Sequence, residues 1–223
     1  MFLKKAGILF LLSIIVLSVV IWLLVFPSSE ESFAAQLVMF FGLYGYLLLS
    51  VATMTSPFAK EVKQAFGASF TKVHHTFSIL GLVFVTLHPV FNAVDSLSLS
   101  VFVPNFTSWI TFWTFAGRPA FIILYVAFFA AVLRKKVSKY WQPFHALTYV
   151  VLLFGIVHAN LLGGDFQTFG IVLIFDALFS ASMASFAIKR FKNYRKKKAA
   201  AVAACQILAG AALAFPGDRI SGR

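Results

Sequence analysis

Residues 73–94 read VHHTFSILGLVFVTLHPVFNAV and residues 143–162 read PFHALTYVVLLFGIVHANLL. Neither stretch contains an Asp, Glu, Lys or Arg. About 20 residues of helix rise about 30 Å, the thickness of a bilayer's hydrocarbon core. Uncharged apolar runs of that length predict membrane-crossing helices. Both also carry two histidines 13 residues apart, His75 and His88 in the first and His145 and His158 in the second.

Working outward, similar stretches occupy about 6–26, 33–54, 115–133 and 167–188. The chain is 61% hydrophobic and 12% charged, too little polar residue to cover a water-soluble core. The expected fold is all-α, a polytopic membrane helix bundle of six transmembrane helices. Lys4-Lys5 followed by an apolar run has the charge order of a signal peptide. Such a peptide has an apolar region of only about 7–15 residues, so a first membrane helix is expected, with cleavage near Phe33-Ala34-Ala35 as the alternative. Pro27–Ser32 and Gly163-Gly164-Asp165 are turn-rich breaks. Residues 96–114, interrupted by Pro104 and carrying Trp109 and Trp113, read as a segment lying at the membrane interface. The Ala-rich stretch from Ala199 to Phe215 reads as a weak seventh hydrophobic segment, an interfacial helix or an extension. Three parts follow: residues 1–32, a first helix and loop; residues 33–190, the core; and residues 191–223, a basic segment and tail.

The net charge of +12 is not spread evenly. Basic residues fall at Lys4 and Lys5, at Lys60, Lys63 and Lys72, at Arg134–Lys139, and at Lys189–Lys198. The intervening loops carry Glu30, Glu31, Asp95 and Asp165. This alternation predicts that both ends of the six-helix unit are cytoplasmic, in a cell (plasma) membrane. It also accounts for the basicity without nucleic acid. A single cysteine, Cys205, excludes an intrachain disulfide and a cysteine-based cluster.

Histidine inside hydrocarbon is costly unless paired or ligated, so four in a matched pattern need a common cause. Thirteen residues of helix rise about 20 Å, so the two on one helix cannot share an ion. The third and fifth spans run in the same direction. His75 and His145 therefore sit at one depth, His88 and His158 at another. Two imidazoles per level suit the axial positions of a haem iron; structural zinc would want four ligands together. One angle argues for a variant. At 100° per residue a 13-residue step leaves side chains about 140° apart, and a 14-residue step about 40°. His74 lies 14 residues before His88 and rivals His75; analogy with the fifth span favours His75. Arg118, between Gly117 and Pro119, is a candidate for a haem propionate or a snorkelling interfacial cation. Lys72, Lys136 or Lys139 would serve the cytoplasmic level. Asp176 is the one acid deep in a span, with Ser180 as a candidate partner.

The run from Arg134 through Lys135, Lys136, Tyr140, Trp141 and Pro143 to His145, continuing to His158, resembles the ferric reductase-like transmembrane domain family. That family includes ferric reductases, the NADPH oxidase membrane domain and the haem-binding subunit of the periplasmic methionine sulfoxide reductase system. Gly117-Arg118-Pro119 is similar to the start of the last subunit's fourth helix, although that subunit usually lacks the histidine this chain has at 74 and 75. The resemblance covers roughly residues 35–190. It implies six helices, haem b in one or two copies, and ligand roles for His75, His88, His145 and His158. It also implies electron transfer from the cytoplasmic side to an outer acceptor, the work of an oxidoreductase component. The chain shows no GxGxxG motif, so the expected donor is a separate cytoplasmic flavin or NAD(P)H reductase, or quinone. The rival expectation is a non-redox transporter passing protons or metal ions along the intramembrane histidines and Asp176.

Overall fold

The computed structural model describes residues 4–27, 31–162 and 168–214. Every regular element among them is helical. In chain order these are α1 (Lys5–Val25), α2 (Phe33–Thr55), α3 (Ala59–Phe66), α4 (Phe70–Asp95), a 3-10 turn (Leu99–Phe102), α5 (Trp109–Thr114), α6 (Gly117–Val132), α7 (Trp141–His145), α8 (Thr148–Leu162) and α9 (Phe169–Ala214). The Gly163-Gly164-Asp165 break and residues 215–223 lie outside the described residues.

Five segments are long and apolar enough to cross a bilayer: α1, α2, α4, the Trp141–Leu162 stretch that joins α7 to α8, and α9. These make the chain a multi-pass helical membrane protein. The fourth expected span appears as α6, 16 residues long, or about 24 Å of helix. Its length falls short of the other five.

Side-chain caps start the helices where polar residues interrupt the apolar runs. Ser32 Oγ accepts the Ala35 N–H (3.1 Å) at α2, and Ser108 Oγ accepts the Thr111 N–H (3.1 Å) at α5. Each satisfies a backbone donor that has no partner within its own helix. The amphipathic α3 buries Val62 and Phe66 and ends at Gly67, whose φ of 62° lies in the left-handed region that glycine tolerates best.

Two elements depart from the expected spans. The fifth is broken at 146–147. There the Leu147 N–H donates to Phe144 O and the Tyr149 N–H to Ala146 O, both i to i−3 bonds. This is 3-10 winding, tighter than α. The sixth does not stop near 188: α9 runs 46 residues, through the Lys189–Lys198 stretch and into the Ala-rich segment. Charge ends a hydrophobic span, but Lys, Arg and Ala are all good helix formers, so the backbone has no cause to break. Residues 187–214 form their own unit, helical and exposed where side chains are described.

Within residues 4–186, α2 is central. Its Leu43, Leu47, Val51 and Ala52 pack with Ile21 and Val25 of α1, Phe77 of α4 and Phe175 of α9. Leu49 joins Ala120 and Leu124 of α6 and Val151 and Leu152 of α8. Burying apolar area does little between helices in lipid, so association depends on close packing. Glycines from both partners bring α2 and α4 together. A Cβ on Gly45 would lie 2.9 Å from the Val85 backbone nitrogen, and one on Gly81 would lie 3.1 Å from that of Leu49. The outward faces, such as Leu9, Val16 and Val19 of α1, are exposed aliphatics suited to lipid tails.

Candidate functional site

The structure brings four of the five histidines into the helix interfaces in one repeated arrangement. On α4, His88 Nδ1 lies 2.8 Å from Val38 O and His74 Nδ1 lies 3.1 Å from Ala52 O, both acceptors being on α2. His158 Nδ1 on α8 lies 2.6 Å from Thr114 O, and His145 Nδ1 on α7 lies 3.3 Å from Ala127 O of α6. A carbonyl oxygen can only accept, so each ring carries its proton on Nδ1. In the neutral ring this leaves the lone pair on Nε2, the form in which histidine binds metals. Backbone carbonyls that fix the second nitrogen in this way are a common support for ligating histidines.

His74, rather than the favoured His75, is the ring that meets His145. Their ring centres are 6.1 Å apart with planes at 82°. His75, the next residue, is exposed. The angular argument explains this: with His88 buried against α2, the residue 14 positions earlier shares its face and the one 13 earlier does not. Ser78 Oγ lies 3.4 Å from His74 Nε2, and Phe70 stacks on the His74 ring.

His88 and His158 line one cavity of about 350 Å³, within the usual range for small-molecule and cofactor sites. Tyr46, Phe102, Phe115 and Arg118 also line it. Arg118 donates to Val103 O (3.0 Å) and sits over the Phe115 ring at 4.4 Å, so its guanidinium is held at the cavity wall. Two glycines make room for the rings. A Cβ on Gly42 would come within 2.9 Å of His88 Nδ1, and one on Gly117 within 2.9 Å of His158 Nε2. Lys72, Lys136 and Lys139 are exposed at the opposite end of the bundle.

The donor chemistry can be tested against what it could hold. Among the described residues no three His, Cys, Asp or Glu side chains gather where they could hold an ion by themselves. The available set is a pair of imidazoles at each of two levels. An imidazole nitrogen binds a metal at about 2.0 Å, which places two opposed rings roughly 6 Å apart across one ion. The His74–His145 ring-centre separation of 6.1 Å is of that size, with His74 Nε2 at 3.4 Å from Ser78 Oγ. An ion with only two protein ligands needs its remaining positions filled, as a porphyrin does for haem iron. The residues therefore fit haem.

Asp176 is paired with Asn160 of α8 (Nδ2 to Oδ1, 3.2 Å), not with Ser180, and both lie exposed on the bundle surface. Sequence reasoning missed Gly42, the contact of Gly117 with His158, and the four carbonyl acceptors. Glycine inside an apolar helix weakens it by about 1 kcal/mol, and that cost was the available signal of a close approach. The acceptors leave no trace in side-chain identity.

The fold and the site together define a class: a multi-pass helical membrane protein with histidine pairs bonded into its helix interfaces. Comparison with protein-family models, with curated proteins and with solved structures finds no match to this chain.

Proposed function

We propose that this protein is a membrane haem carrier that passes electrons across the bilayer. The carrying observation is that four histidines each give the Nδ1 proton to a neighbouring helix's carbonyl, with His88 and His158 lining one cavity and the His74 and His145 rings in contact. His88 and His158 hold one haem b in the cavity, and His74 and His145 hold a second. Bound haem supplies reversible one-electron chemistry; the protein supplies ligation, orientation and a water-poor shell. The carbonyl bonds keep each imidazole in its ligating tautomer. Arg118 receives a propionate at the cavity wall. Gly42 and Gly117 leave space for rings that larger residues would displace.

In this reading six helices cross the membrane. The 16-residue α6 does so with local thinning or with flanking residues reaching out. The basic loops lie on the cytoplasmic side of the plasma membrane. The donor is a separate flavin or NAD(P)H reductase, or quinone, and the acceptor lies outside, as in the ferric reductase-like proteins. The experiment is an absorbance spectrum of the purified full chain, oxidised and dithionite-reduced, with haem-to-protein stoichiometry. Sharp bis-imidazole bands and two haems per chain are expected. His88→Ala and His158→Ala should each remove the same haem, and His74→Ala and His145→Ala the other. A protein with no haem bands after expression in haem-replete cells overturns the reading and favours the transporter.

A further inference from the structure

Residues 96–116 join the end of α4 at Asp95 to the start of α6 at Gly117. They contain no Asp, Glu, Lys, Arg or His. Their apolar side chains turn outward: Leu97 is 91% exposed, and Leu99, Phe106, Trp109 and Ile110 are all well exposed. Leu97 is also the one non-glycine residue with positive φ (50°) among the described residues. A leucine is strained there, where glycine or asparagine sits more easily, and facing water it gains nothing in return. The polar side chains turn back on the segment instead. Asn105 Oδ1 accepts the Thr107 N–H (3.0 Å) and hydroxyl (2.8 Å), Ser98 Oγ accepts the Ser100 N–H (3.2 Å), and the Thr114 hydroxyl donates to Ile110 O (2.9 Å). Contiguous apolar exposure of this kind marks an interaction surface. The same segment builds one wall of the histidine cavity. Val101 and Phe102 line it. Val103 O accepts from Arg118 (3.0 Å), and Thr114 O accepts from His158 Nδ1 (2.6 Å). Phe112 and Trp113 lay α5 on Phe154 of α8, with ring centres 6.0 and 5.2 Å away. A ligating histidine and the cavity's cation thus both take their bonds from a segment whose outer face is apolar.

We propose that residues 97–110 seat on the lipid surface, at the headgroup level of the bilayer, and that this seat holds His158 and Arg118 in position. The occupant follows from continuity. The segment joins two apolar helices at the end of the bundle opposite the basic loops, so its exposed face continues the lipid-facing surface of both. Aromatic rings among uncharged polar neighbours favour that depth. A leucine pressed into lipid recovers by burial what its backbone loses. The bilayer is then a ligand of the cavity wall, and seating it fixes the carbonyls that orient the ring and the guanidinium. This coupling names what steadies one side of the haem site and rests on that reading. The lipid contact itself does not.

The chain's single cysteine, exposed on α9, allows a clean label. In a Cys205→Ser background, Ile110→Cys and Lys136→Cys carry an environment-sensitive fluorophore, both positions being exposed. The full-length protein is placed in phosphatidylcholine vesicles brominated either near the headgroup or near the chain end. The label at 110 should be quenched more by the headgroup-proximal bromine, and the label at 136 by neither. Equal, weak quenching at 110 and 136 overturns the proposal and leaves the apolar face to an acceptor protein. Stronger quenching at 110 by chain-end bromine overturns it too, because the segment would then lie in the hydrocarbon core. Leu97→Asn with Trp109→Ser tests the coupling. In water the first change relieves strain and would help the fold; in lipid the pair removes the seat. Quenching at 110 should fall, and the cavity haem should pass to apomyoglobin about tenfold faster or more, the scale of lost support for a ligating histidine, while the second haem stays. Quenching that survives both substitutions, or a fall in quenching with the cavity haem retained as before, overturns the coupling. Protein without haem defeats the electron reading alone. The coupling is then read by diethyl pyrocarbonate modification of His158, whose rate should roughly double or more in the double variant as the wall loosens; an unchanged rate overturns it.

Discussion

Gly42→Ala adds one methyl group to the middle of α2, and the structure says where it goes. The new Cβ would sit 2.9 Å from His88 Nδ1 and 3.2 Å from Cε1. Comfortable carbon contacts begin at about 3.5 Å, so the imidazole must retreat by roughly 0.5 Å. Its bond to Val38 O is now 2.8 Å, and that retreat carries it past the roughly 3.2 Å limit of a sound N–H···O bond. Overpacking costs about 1–3 kcal/mol and the lost bond about 1 kcal/mol. Replacing a helical glycine by alanine returns up to about 1 kcal/mol. The net loss is about 1–3 kcal/mol, a fall of several degrees in melting temperature. The effect on ligation is larger, because losing the support of a ligating histidine typically costs 10–100-fold in affinity. Gly170→Ala is the control. It also lies in a helix, and its added methyl meets only the end of the Leu24 side chain at 3.2 Å, which can move. Thermal unfolding in detergent and haem retention on gel filtration are measured for both. If Gly42→Ala melts and retains haem like Gly170→Ala, the supposed coupling between this glycine, the ring and the carbonyl does not exist.

His75→Ala should leave haem stoichiometry unchanged, while His74→Ala should remove one haem; pyridine haemochrome titration reads both. Arg118→Gln should weaken retention of the cavity haem by about tenfold or more, the worth of a charged hydrogen bond, seen as faster transfer to apomyoglobin with the bis-imidazole bands intact. Gly81→Val should force α2 and α4 apart near Leu49 and disturb both histidine levels together, lowering the melting temperature and releasing haem from each.

The helical membrane character was legible because lipid imposes a length on every crossing, and apolar runs show that length directly. Helix ends set by backbone geometry were less so. Nothing in the letters 145–149 announces the tighter winding at 146–147, and the charges after 188 concealed that α9 continues. The choice between His74 and His75 shows what such winding does. On the second histidine segment the tighter winding at 146–147 recovers part of the 140° mismatch of a 13-residue step: each residue turned by about 120° instead of 100° adds about 20°, so two add about 40°. On α4 no such turn is present, and His74, 14 residues before His88, is the ring that meets His145.

The four carbonyl bonds also show why two different spacings can serve one purpose. Val38 and Ala52 are 14 residues apart, as are His74 and His88; Thr114 and Ala127 are 13 apart, as are His145 and His158. In each antiparallel pair the acceptors on the first helix keep step with the rings on the second. The register of α2 against α4, held by Gly45 and Gly81, therefore sets the height of one ring at each level. The register of α5 and α6, which carry Thr114 and Ala127, against α8 and α7 sets the other. What remains is to bring the two pairs to a common height. Tyr46 of α2 does this midway between the levels, bonding Leu152 O while Gly155 admits its ring at 3.2 Å from a would-be Cβ. A bulky residue at 155 would displace α8 from α2 without touching any histidine, and both facing pairs would lose their alignment at once.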